Sequence, residues 1–332
     1  MSNIFIQTDH NDPEYAFFDK YRKVIFKGLW TPAKYQRLIE GEVAECQRLP
    51  RVDKETINKC ILAVAMVEDK VKTFWSNIAN DYPQTIIGDV GGLFAYTEVV
   101  HRISYAQLME SLYINPQDVK LYPVLNDRIN YLTKYLKYAK TDGVESDFIE
   151  QRRKLKKLCL FTTLVEKCSL FTQFYILMSF AKNDKGLKSI SSLQQSTAIE
   201  ENIHYTFGLD IINIIKNQNP NLWDNYVIEL VEKNIKAAYK AELKLIDWFF
   251  EEGVPDHLSK KEVVNFLNYN FNIVCNDLGL DLNFDFDKKY FDEVNHWFVL
   301  KTTAPVEPDF FMNAVGSYSS SDEQYNLDEL QF

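Results

Sequence analysis

Apolar residues recur every three or four positions along most of the chain, the spacing of helices that bury one face. The pattern predicts helices at about 31–47, 53–80, 87–114, 122–139, 145–183, 187–217, 222–252 and 259–278, with a shorter one at 286–298. Between them stand turn-forming strings: "NDYPQ", "INPQD", "KTDG", "KNDKG", "NQNPN" and "EEGVPDH". No segment alternates polar and apolar residues long enough to predict a large sheet. No fixed period repeats either, so the long helices and short loops point to an elaborated helical bundle, not a solenoid. Residues 1–30 read as an irregular arm, ending at Trp30 before a Thr-Pro helix start. One helical domain including this arm is expected over 1–302. From 303 onward prolines, three consecutive serines and scattered acids leave too little apolar surface to pack, which predicts a flexible tail over 303–332. Its last residues, "YNLDELQF", carry spaced leucines and aromatics that suit a segment docking on a partner.

One predicted helix is apolar nearly all round: "CLFTTLVEKCSLFTQFYILMSFA", residues 159–181. Glu166 and Lys167 in its middle would be costly in lipid, and the other helices are amphipathic, so it reads as a buried central helix and not a membrane span. Composition narrows the partners. With 37 Lys+Arg against 47 Asp+Glu the net charge is -10, which leaves no basic surplus for a nucleic-acid backbone. The 11 glycines and 10 prolines are few, in keeping with long helices. Five scattered cysteines form no CxxC pair, so neither a zinc knuckle nor a disulfide framework is expected, and reduced thiols in a cytoplasmic protein are. The first residues lack the basic start and apolar run of a secretory leader.

The candidate chemistry lies in a spacing that occurs twice. "TEVVHRISY" holds Glu98 and His101, and "AIEENIHYTFG" holds Glu201 and His204. Residues three apart on a helix share a face, so a Glu and a His so placed can reach one metal ion. A single Glu-x-x-His usually marks a solvated surface. Here a lone acid in an apolar helix precedes each pair: Glu68 in "ILAVAMVEDKVKTFW" and Glu166 in "FTTLVEKCSLF". Two such pairs plus one acid from each of two further helices is the ligand set of ferritin-like dinuclear proteins, so an all-α, ferritin-like four-helix core with additional helices is predicted. Asp69, beside Glu68, is the rival ligand from the first helix. Only five histidines exist, and His10, His257 and His296 fall in breaks or near ends, where they read as exposed or structural. Oxygen and imidazole donors suit iron or manganese. Tyr105, one turn after His101, is either an electron donor to such metals or a packed core tyrosine.

At this point the segments resemble a known family. "TEVVHRISY" is similar to the Glu-x-x-His-x-x-x-Tyr segment of class I ribonucleotide reductase small subunits, "EENIHYTFG" to their Asp-Glu-x-x-His segment, and "EPDFFMNAVGSY" to their Phe-Phe…Val-Gly-x-Tyr segment. The likeness runs from about Trp30 to Phe332. It implies a subunit that makes and stores an oxidising equivalent at two metal ions held by Glu68, Glu98, His101, Glu166, Glu201 and His204. It places Tyr105 at the radical-tyrosine position, Trp30 and Glu200 on a long-range electron path, and Tyr318 where that path crosses to a catalytic large subunit docked on the tail. A homodimer is expected, with no nucleic acid, membrane or substrate bound by this chain.

The sequence also departs from that family. Glu68 stands where Asp is common, and Glu200 where an Asp usually bonds the tryptophan, which predicts a longer bond to Trp30. The interval from Glu166 to Glu201 is one residue longer than usual, with the extra residue placed in "KNDKG". Lys72, one turn after Glu68, resembles a subgroup that uses two manganese ions activated by superoxide, which favours manganese over iron. A ferritin-like ligand-binding oxidase and a ferritin-like metal store would use the same ligands without Tyr318 or an apolar-ended tail.

Overall fold

The computed structural model describes residues 3–8, 12–133 and 147–303, with the side chains of 69–72, 131 and 133 outside that description. The described residues form helices and no strand. The chain runs through α1 (Asp19–Gly28), α2 (Ala33–Arg48), α3 (Arg51–Ser76), α4 (Thr85–Ser111), α5 (Pro123–Thr133) and α6 (Asp147–Leu160). A π-helical segment, Phe161–Ser169, leads into α7 (Phe171–Lys182). Then follow α8 (Lys188–Gln218), α9 (Asn225–Phe249), α10 (Lys260–Leu278) and, after a short π turn at Phe291–Asn295, α11 (His296–Thr302). Two packed layers, α3 on α4 and the π segment with α7 on α8, make the ferritin-like core, and α2 and α9 to α11 cover it.

The apolar register explains why polar groups end up inside. On α3, Ile57, Ile61 and Val64 form a buried stripe that continues through Glu68, so the acid is carried inward by its neighbours. The central helix behaves as its composition predicts: every side chain from Phe171 to Phe180 is buried. It is not one continuous α-helix, however. The wider π winding interrupts it over Phe161–Ser169, the turns that carry Glu166. This stretch lies close against α8 because Gly208 has no side chain there; a Cβ on Gly208 would come within 2.2 Å of the Thr162 hydroxyl.

The N-terminal arm is more regular than its sequence pattern suggested. Residues 19–28 form α1, held by Tyr21 and Ile25, one turn apart and both buried. Two buried positions are too few to register as periodicity. Elsewhere local chemistry sets the boundaries. Ser259 caps α10 by accepting from the Glu262 amide at 3.1 Å, and Gly279 ends that helix in the left-handed conformation at φ 69°. Among the described residues no helix is long and apolar enough to cross a membrane.

Candidate metal centre

Four helical segments bring six side chains to the middle of the core. Glu68 comes from α3, Glu98 and His101 from α4, Glu166 from the π segment, and Glu201 and His204 from α8; all six are at most 1 % exposed. They form two overlapping groups. Glu68, Glu98, His101 and Glu201 each offer an atom within 4.8 Å of the others, and so do Glu98, Glu166, Glu201 and His204. Glu98 and Glu201 therefore belong to both. Around His101, the Nδ1 atom lies 3.5 Å from Glu68, 3.6 Å from Glu98 and 3.2 Å from Glu201. Around His204, Nδ1 lies 3.1 Å from Glu98, 3.4 Å from Glu166 and 3.2 Å from Glu201.

Neighbouring groups fix which nitrogen faces inward. The Thr97 hydroxyl gives its proton to the Phe94 carbonyl at 2.9 Å, so at 3.2 Å from His204 Nε2 it accepts the imidazole N–H. His101 Nε2 donates to Glu200 at 2.6 Å. In both rings Nδ1 is thereby turned toward the acids, the outer-partner arrangement that orients metal-binding imidazoles. Trp75 donates its indole N–H to Glu166 Oε1 at 2.9 Å, leaving Oε2 to face His204.

Electrostatics test whether these residues fit metal ions. Four carboxylates converge with no Lys or Arg ion-paired to any of them among the described residues. Both oxygens of Glu68 and of Glu98, together with His101 Nδ1 and one oxygen of Glu201, are buried without a hydrogen-bond partner. Such orphaned polar atoms are expensive in a packed core. Burial pushes the Glu68 carboxyl up to about 8 and Glu166 well above the usual range. Burial would raise Glu201 too, but hydrogen bonds from Glu166 and His101 and the charge of His204 hold it low. Both imidazoles are raised against the effect of burial, His101 chiefly by Glu68 and Glu200, His204 by Glu166 and Glu201. Protons thus neutralise the cage where metal would. Two divalent cations would balance the charge of four carboxylates and two neutral imidazoles, and Glu68, Glu98, His101 and Glu201 carry unpartnered atoms that would ligate them.

The structure also corrects and extends the sequence reading. Glu200 bonds His101 and not Trp30; the Trp30 indole N–H is buried without a partner, and its ring stacks on His101 at 5.9 Å, tilted by 22°. Glu166 reaches the cage, and the segment that carries it is wound as a π-helix over Phe161–Ser169. Of the two first-helix acids Glu68 is in the cluster. The side chains of Asp69 and Lys72, and all of His10 and Tyr318, lie outside the described residues. The Tyr105 hydroxyl donates to Gln194 Oε1 at 2.7 Å, and burial raises it well above its ordinary range. Trp75, Thr97, Gln194 and Thr197 went unnoticed in the sequence. Helical register was their signal: Trp75 is seven residues after Glu68, and Gln194 and Thr197 are seven and four before Glu201. His257 is half-buried against Ser179, and His296 is exposed.

Comparison with known proteins agrees with this architecture. Residues 7–290 match the family model "Ribonucleotide reductase, small chain". The subunit beta of ribonucleoside-diphosphate reductase from Treponema pallidum (strain Nichols) is 20% identical over 280 residues, covering 82% of this chain and 76% of that protein. A dimanganese(II) NrdF from Streptococcus sanguinis superposes with a TM-score of 0.71 at 14% identity, over 90% of this chain and 99% of the other. An R2-like ligand-binding oxidase variant with a Mn/Fe cofactor gives 0.65 at 16% identity, over 80% and 94%. The chain belongs to the ribonucleotide reductase small-chain family, as a class I small subunit: the radical-generating part of a ribonucleoside-diphosphate reductase, with a dinuclear metal site at its centre.

Proposed function

We propose that Glu68, Glu98, His101, Glu166, Glu201 and His204 are the ligands of that site, with Glu98 and Glu201 shared between two manganese ions. The observation that carries this reading is the membership of those two carboxylates in both four-residue groups. Oxygen and imidazole donors without thiolate suit manganese and iron alike. The choice of manganese is in line with the solved relatives whose cofactors are dimanganese(II) and Mn/Fe. When bound, the metal pair supplies a strong one-electron oxidant in a site screened from water.

The protein's own residues then have three tasks. His101 and His204 hold their Nδ1 atoms toward the pair, oriented through Glu200 and Thr97. Trp30, stacked on His101, and Glu200, bonded to it, form the way out for an electron hole. Tyr318 and the tail from 303 carry it to a large subunit that binds and reduces the ribonucleotide, the small subunit acting as a homodimer in the cytoplasm. Tyr105, tied to an amide oxygen that is a poor proton acceptor, stays reduced.

Metal analysis and electron paramagnetic resonance of the full chain test the cofactor. A coupled dimanganese signal is expected; a tyrosyl radical beside di-iron would overturn it. Deleting 320–332 tests the partnership: metal content should be unchanged, while ribonucleotide reduction with added large subunit is lost. Undiminished reduction would sink the proposed role of the tail.

A further inference from the structure

On the side of α8 away from the metal cage lies a cavity of about 220 Å³, walled by α1, the π segment, α7, α8, α10 and α11. Aromatic rings form much of its apolar wall, among them Phe171, Tyr205, Phe266, Tyr269 and Phe298. An apolar cavity of roughly 150 Å³ already accommodates a benzene-sized ring. One cation sits in this wall. The Lys167 ammonium lies over the Phe171 and Tyr205 rings, at 4.5 and 5.5 Å from their centroids. It donates one hydrogen to Asn202 Oδ1 at 2.8 Å and forms no ion pair with a carboxylate among the described residues. An ammonium has three hydrogens to give, so two remain for an incoming anion.

The position of the cavity along the chain narrows its occupant. Asn202, which accepts from Lys167, donates its amide to the Thr302 carbonyl at 3.0 Å. That bond pins the end of α11 to the cationic side of the cavity, and Thr302 and Thr303 are themselves part of the lining. The next residues read "APVEPDFF": acids at Glu307 and Asp309, then Phe310 and Phe311. An acid followed by two rings is the complement of a lysine set in an aromatic wall. The interval from Thr303 to Phe311 spans roughly 25 Å at most when extended, long enough to reach the adjacent cavity.

We infer that this cavity is the seat of the chain's own Asp309–Phe311 segment, with a phenyl ring among the aromatics and the Asp309 carboxylate on Lys167. This rests on the reading of the tail as the link to the large subunit, and it gives that link a fixed root. Tyr318, seven residues beyond Phe311, would then range within roughly 25 Å of the seat instead of sweeping the whole length of the tail. A tethered docking element held near its target raises its effective concentration there.

Photo-crosslinking of the full chain, without large subunit, tests the inference. With Phe311→p-benzoylphenylalanine, irradiation should yield links within one chain to peptides bearing Phe171, Ile203 or Val299. Lys167→Met in the same chain should reduce that yield roughly tenfold, as expected for loss of a charge-assisted bond. Lys167→Arg should restore most of it and guards against a fold defect in the Met variant. Links only between two chains, links spread without preference, or a yield indifferent to Lys167→Met would each overturn the proposal. Because the readout needs neither metal turnover nor large subunit, its failure would leave the proposed function standing.

Discussion

The two halves of the cage use the same donors, yet their surroundings differ. On the His101 side the outer imidazole nitrogen meets a carboxylate, Glu200, and the ring lies under Trp30. On the His204 side the same nitrogen meets a neutral hydroxyl, Thr97, and the ring is enclosed by Trp75 and Phe94. A charged partner raises the basicity of an imidazole and lets positive charge develop on it; a hydroxyl only orients it. One half is therefore connected outward, while the other is sealed. The helices follow the same division, since the sealed half takes its private acid, Glu166, from the π segment and the connected half takes Glu68 from a regular α-helix.

The harshest way to break the comparison is to remove carboxylates. Glu98→Ala or Glu201→Ala should abolish binding at both positions, because each acid is common to both groups. Glu68→Ala or Glu166→Ala should leave about one metal per chain where the parent holds about two. Metal content of the purified variants, with helicity by circular dichroism as the control for folding, checks this. Equal loss in all four variants would show that the halves are not separable.

A gentler change probes the outer partners. Glu200→Gln keeps a hydrogen-bond acceptor for His101 but removes the charge, whereas Thr97→Val removes the acceptor of His204 altogether. If the charge is what matters on the connected side, Glu200→Gln should weaken metal binding and turnover about tenfold or more, within the usual range for such partners. Thr97→Val should alter metal affinity by a few-fold and leave electron transfer to the large subunit unaffected. Competition with a chelator measures the first quantity, and single-turnover reduction the second. A Thr97→Val effect on electron transfer as large as that of Glu200→Gln would remove the distinction.

The clustering of these acids and histidines was legible in the sequence because it obeys helical register. Glu98 with His101 and Glu201 with His204 lie three apart, and Glu68 continues a stripe of Ile57, Ile61 and Val64. What register cannot express is how a side chain turns once it is inside. The sequence places Glu200 beside Glu201 but does not say that it bonds His101 in preference to Trp30. The π winding around Glu166 was hidden for a similar reason. It preserves the apolar character of the helix while changing its hydrogen-bond pattern, so composition carries no trace of it. Trp75 and Thr97 were overlooked because indoles and hydroxyls are common in cores, so that register alone did not single them out before the distances to Glu166 and His204 did.

The finest distinction between the halves is in their protons. In the metal-free chain burial raises Glu68 to about 8 from an ordinary 4.5, and it raises Glu166 well above the usual carboxylate range. A carboxyl raised on folding binds more protons in the folded chain than in the unfolded one throughout the interval between the two values. Stability must then fall as pH rises through that interval. The raised imidazoles act in the same direction, their contribution present at low pH and lost as pH climbs past the ordinary histidine value toward the folded one. The melting temperature of metal-free protein should therefore decline between pH 4.5 and about 8. Metal displaces these protons, so saturating manganese should flatten or reverse the slope, and its uptake in weakly buffered solution should release protons. The halves separate in the variants. Glu68→Gln should remove the part of the slope that ends near pH 8, while Glu166→Gln should leave that part in place, because it belongs to Glu68. A slope unchanged by Glu68→Gln would mean that Glu68 does not hold a proton released across that interval.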